Sequence, residues 1–126
     1  MKLKMLFAAL VVALVLVSCV ASGPDAVAKK FIIALSNMDW DEAVKLSTED
    51  GGKVLEMLKS FTGMMTQEQL DQSKKKISAS DITIVSSKTD GDKATVVYKV
   101  KGEDKENTLD MKKVGGQWKV NYTKNF

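Results

Sequence analysis

Four aromatic side chains and one thiol carry most of the chemistry this sequence could perform. Tyr98, Trp118 and Tyr122 share one parity of strand-like stretches and Trp40 stands at a helix junction. Together they could line a pocket for a small apolar or planar ligand. The same rings would serve as ordinary core, because large aromatics dominate packing in small domains. A tyrosine hydroxyl facing an acid could do proton-transfer chemistry, the carboxylate taking a proton and the hydroxyl holding an oxyanion. Alternation turns Asp110 outward, Asp81 and Asp92 fall at strand ends, and Asp39 reads as a helix cap. Only a helix-borne acid such as Asp71 is left to reach a cavity. No catalytic residue is assigned, and a non-enzymatic domain is expected. The chain has no histidine and a single cysteine, so no metal-ligand set, cofactor site or internal disulfide is expected. Asp90-Gly91-Asp92 is too short for a calcium loop and reads as a hairpin turn.

The thiol has a telling position. Lys2 and Lys4 precede an apolar run from Met5 to Val17, which ends at the small residue Ser18 and then Cys19. That order is the layout of a secretory signal. A permanent membrane span needs about 20 apolar residues, more than this run supplies. Leu16-Val17-Ser18-Cys19 resembles the lipobox of bacterial lipoproteins. The resemblance implies cleavage between Ser18 and Cys19, acyl chains on Cys19, and a lipid bilayer as partner. It divides the chain into a signal over residues 1–18, a tether over 19–23 and a domain over 24–126. The implied location is the cell envelope, and Val20 after the cysteine points to the outer membrane in a Gram-negative host.

The full chain has 126 residues, with 19 basic side chains against 16 acidic, and every basic one is lysine. Removal of residues 1–18 takes away Lys2 and Lys4, leaving the mature domain close to neutral. A near-neutral domain without arginine gives no reason to expect nucleic acid. One domain is expected at this length.

Pro24 suits the first turn of a helix, and Val27, Phe31, Ala34, Leu35 and Met38 follow along one helical face. Asp39 to Glu42 reads as a capped start of a short second helix, stopping near Glu49-Asp50-Gly51-Gly52. A third stretch carries Val54, Leu55, Leu58 and Phe61 and breaks at Thr62-Gly63. Thr66 and Gln69 form a capping signature before Leu70, with Lys74-Lys75-Lys76 in the last turn. That lysine run could touch lipid headgroups or simply be solvated. Met57, Met64 and Met65 suit an adaptable apolar surface or interhelical filling. About three helices are expected over residues 24–76.

Beyond Ile82 the period changes from 3.6 to 2. Of 13 positions on one face of four strand-like stretches, 11 are apolar or aromatic; of 14 on the other, only Val85 and Val97 are. Ser86 belongs to the first face in this pattern and Ser87 to the second. A sheet buried on one face, preceded by helices, makes an α+β domain: N-terminal helices packed on a four-stranded antiparallel sheet over residues 80–123.

Pro24-Asp25-Ala26-Val27, Asn37-Met38-Asp39-Trp40-Asp41-Glu42-Ala43 and Gly115-Gly116-Gln117-Trp118-Lys119-Val120 are similar to segments of small bacterial lipoproteins with a cystatin-like domain of unknown function. These belong to the nuclear-transport-factor-2-like superfamily. The resemblance implies a curved sheet wrapped on helices as a cone whose open end often holds a small ligand. The expected role is a membrane-anchored binding domain for a small ligand or an envelope protein. A structural or accessory protein acting by contact through its sheet is the alternative, and after it an enzyme of the isomerase or dehydratase kind that the resemblance to this superfamily implies.

Overall fold

The computed structural model describes residues 23–123. Ser18 and Cys19, with the rest of the leader, lie outside the described residues. Among the described residues four helices precede the strands: α1 (Pro24–Ser36), α2 (Trp40–Lys45), α3 (Glu49–Thr62) and α4 (Gln67–Ser73). A single turn of 3-10 helix (Ala79–Asp81) leads into β1 (Ile82–Asp90), β2 (Lys93–Val100), β3 (Asn107–Val114) and β4 (Gln117–Val120). The strands form one open antiparallel sheet in the order β1-β2-β3-β4. The class is α+β, with the helices N-terminal to the strands. No helix among the described residues is long and apolar enough to cross a membrane.

The helix boundaries follow from caps. Pro24 occupies the first turn of α1. The helix ends where Met38 adopts a left-handed φ of 56°, its N–H donating to the Leu35 carbonyl and that of Asp39 to the Ala34 carbonyl. This crossed pair normally uses glycine at the left-handed position. Asp39 caps α2, accepting from the Glu42 N–H at 3.4 Å. The expected break at Glu49–Gly52 is instead the first turn of α3, because Thr48 accepts from the Gly51 N–H and Glu49 and Asp50 favour the positive helix end. Four helices lie among the described residues where about three were expected, because the short stretch around Leu70 is a helix of its own. Thr66 and Gln69 form the reciprocal capping box of α4. That helix ends at Ser73, so Lys74-Lys75-Lys76 follow it rather than close it.

The core sits between α1 and the sheet. Phe31, Leu55, Val96 and Val120 are fully buried, with Ala28, Ile32, Leu109 and Met111 around them. Gly115 and Gly116, with φ of 58° and 79°, turn β3 into β4 as a two-residue hairpin requires.

Two departures from simple alternation shape the sheet. A bulge at Val85 slips the pairing from Ile84↔Tyr98 to Ser86↔Val97. Ser87 then pairs with Val96 and joins the inner face while Ser86 moves outside, reversing the expected assignment for the distal half of β1. Strand β4 stops at Val120 rather than Thr123, and the segment before α3 lies along its outer edge. Val120 N–H donates to the Leu46 carbonyl at 2.8 Å, and Thr48 N–H donates to the Val120 carbonyl at 2.9 Å. Ser47 is buried there, its hydroxyl donating to the Ala43 carbonyl at 2.6 Å.

Candidate functional site

Two concave surfaces stand out, and the expected aromatics divide between one of them and the core. Tyr98 lies on the inner face of β2, directly across from Asn107 at the start of β3. Tyr122 follows β4, and its ring meets Phe31 of α1 with centroids 5.4 Å apart at 58°. With Leu35 and Leu109 the two tyrosines wall a cleft of about 430 Å³. Its rim is Lys105, Glu106, Asn107 and Thr108, at the turn between β2 and β3. Trp118 and Trp40 lie outside this cleft. Trp118 packs half-buried against the core with the Lys113 ammonium 5.7 Å from its ring, a cation–π geometry. Trp40 opens α2 and also packs on the core.

The cleft is apolar at its base and polar at its mouth. Burial raises the Tyr98 phenol above its ordinary 10.0, and the neighbouring Tyr122 and Glu103 raise it further. Burial alone raises Tyr122. Both phenols are therefore neutral at physiological pH, above an apolar base of Leu35 and Leu109. Two carboxylates are near, Glu103 and Glu106. Lys75 approaches Glu103 at 3.9 Å, and neither acid hydrogen-bonds Tyr98 among the described residues. Asp39 caps a helix, as expected from sequence. Asp71 accepts from the Gln67 side chain at 3.1 Å on exposed α4. Among the described residues no group of three or more acidic, cysteine or histidine side chains could hold a metal ion.

The second surface is a groove of about 380 Å³ on α3, lined by Val54, Met57, Leu58, Phe61 and Thr123. Positions 54, 57, 58 and 61 follow helical spacing, so they form one apolar stripe. Leu55, on another side of the helix, supplies the buried contact. Met57 is 72% exposed and Phe61 67%; one turn beyond, Met64 is 83% exposed. Of the two uses open to the methionines, interhelical filling does not apply to Met57 or Met64. Met65 is half-buried. Periodicity finds this stripe but cannot say which of two apolar faces of α3 meets the core. The glycines decide it: a Cβ at Gly51 would lie 3.0 Å from the Tyr122 backbone nitrogen and 3.3 Å from the Val120 carbonyl oxygen. That closeness presses the Gly51–Leu55 side of α3 onto β4 and leaves Met57 and Phe61 outside.

Comparison with known proteins adds a family and no activity. No curated protein and no solved structure matches the sequence. Residues 17–121 match the model of DUF4878, a domain of unknown function. With so much of its length under that one model, the chain belongs to the DUF4878 family.

Proposed function

We propose that this is a lipid-anchored envelope protein, cystatin-like in architecture, whose domain works by holding a protein partner in the apolar groove of α3. The exposure of Met57 and Phe61 beside Val54 and Leu58 carries this reading. Contiguous apolar surface of this kind marks interaction sites, and an amphipathic partner helix is the occupant such grooves commonly take. Methionine suits the role, because its flexible thioether adapts to an irregular partner surface. On this reading the contact surface is a helix, whereas contact through the sheet belongs to the structural or accessory alternative.

Anchoring and contact have separate tests. Mass spectrometry of the native protein should find a mature chain beginning at acylated Cys19, and a chain beginning elsewhere overturns the anchor. A photo-crosslinker at position 57 should trap one envelope protein that a crosslinker at Ser87 does not. Phe61→Glu should abolish that adduct without lowering the melting temperature, since the side chain is exposed. Equal trapping at both positions, or trapping indifferent to Phe61→Glu, overturns the contact.

The tyrosine cleft supports a second reading, a small amphipathic ligand between Tyr98 and Tyr122. Native mass spectrometry of the protein taken from its envelope should then show a bound small molecule. Tyr98→Phe should weaken its retention.

A further inference from the structure

The outer face of the sheet carries charges that the core-facing chemistry does not use. Register places Lys93 of β2 directly opposite Lys112 of β3, and Lys112 directly opposite Lys119 of β4. Like charges in this arrangement repel across about 5 Å of sheet. Lys119 escapes by donating to the Lys45 carbonyl at 2.6 Å, at the end of α2. The ammonium groups of Lys93 and Lys112 make no ion pair or hydrogen bond among the described residues. The two residues border a depression of about 290 Å³ with Thr95, Asp110 and Asn121. Lys88 and Lys99 stand on the same face, against Asp90 and Asp110. Five lysines therefore face two aspartates here, while the mature domain as a whole is close to neutral. The charge is segregated onto one sheet face, and Thr83, Thr95 and Thr108 of that face remain exposed.

We infer that this outer sheet face docks on an anionic bilayer surface. The inference rests on the membrane-anchored reading for its occupant. A pleated face with lysines in cross-strand rows presents its ammonium groups in one plane, which complements a planar field of phosphates. Five residues from Cys19 to Pro24 span at most about 17 Å, which keeps the domain close to the headgroups. That reach exceeds the roughly 10 Å between packed layers, so the domain can settle on its sheet face. Neighbouring phosphates would also relieve the repulsion between Lys93 and Lys112. With the sheet on the membrane, the α3 groove is left open for a protein.

Lysine acetylation footprinting of the full chain tests this on two kinds of vesicle, pure phosphatidylcholine and phosphatidylcholine with one third phosphatidylglycerol. On the anionic vesicles Lys88, Lys93, Lys99 and Lys112 should lose reactivity relative to the neutral ones, and high salt should restore it. Lys53 of α3 and Lys30 of α1 should not change. Lys93→Gln with Lys112→Gln should return Lys88 and Lys99 to their neutral-vesicle reactivity, at about fivefold weaker surface attraction per lysine removed. That variant removes a repulsion, so its melting temperature should not fall, and melting confirms that it is folded. Identical footprints on both vesicles overturn the inference. So does protection by inorganic phosphate alone, or by poly-aspartate and not by vesicles, which would mark an ion site or an acidic protein site. Sedimentation with the neutral vesicles reads the anchor separately. A chain that ignores them yet shows the footprint on anionic ones loses the anchor and keeps the docking face.

Discussion

Gly51 and Gly52 stand side by side in the first turn of α3, yet substitution should move stability in opposite directions. Alanine at either position gains about 0.5–1 kcal/mol of helix propensity over glycine. At Gly52 the new methyl group would meet only Val44 at an ordinary 3.6 Å, so Gly52→Ala should stabilise by about that amount. At Gly51 it would press on backbone atoms of Tyr122 and Val120, which cannot swing away as a side-chain tip can. Gly51→Ala should therefore cost about 1–3 kcal/mol, the usual penalty of overpacking. Denaturant titration of the two variants measures both signs. The tyrosines offer a second residue-scale prediction. Their raised values mean that the folded state favours the neutral phenol. Their stabilising contribution is therefore whole below the unfolded value near 10 and is lost as pH climbs through the folded values. Phenolate absorbance in the native protein should rise later than in urea, and unfolding should accompany it.

Among the elements, helix and strand identities were largely legible and their joints were not. Caps at Asp39 and Thr66 and the double glycine at Gly115 act through local hydrogen bonds or φ, which sequence displays directly. The Val85 bulge carries no glycine or proline to announce it, and it arises only where two strands must be reconciled. Met38 in the left-handed region is equally silent, since a glycine would have signalled that turn. The tyrosine pair was legible by alternation. The segregation of Trp118 from it was not, because same-face positions can be far apart across a sheet. The Lys93, Lys112 and Lys119 row exists only through register. Helix α4 makes a prediction of its own. It contains no buried residue, so its capping box is a main support. Thr66→Ala should cost the helix about 1 kcal/mol, seen as faster amide exchange over residues 67–73 with little change in global melting.

At the scale of the molecule, a core on one side of a four-stranded meander leaves little redundancy. Phe31 touches the layer's centre and Tyr122 at once, so Phe31→Ala should cost about 3–5 kcal/mol in denaturant unfolding. The contacts that tie the halves together are distant along the chain: Thr48 meets Asn121 across 73 positions, and the Leu46–Thr48 segment is clasped by Val120. That clasp sets an order in time. During synthesis the helices are made first, and the strand that holds their linker follows well after them. Such non-local closure is slow, so the helices stay open until β4 is available. A chain ended after Val114 should keep α1 amides unprotected from exchange at any temperature. On the envelope reading proposed above, an open chain is also what passage through a narrow translocation pore requires, and closure that waits for β4 would supply that delay.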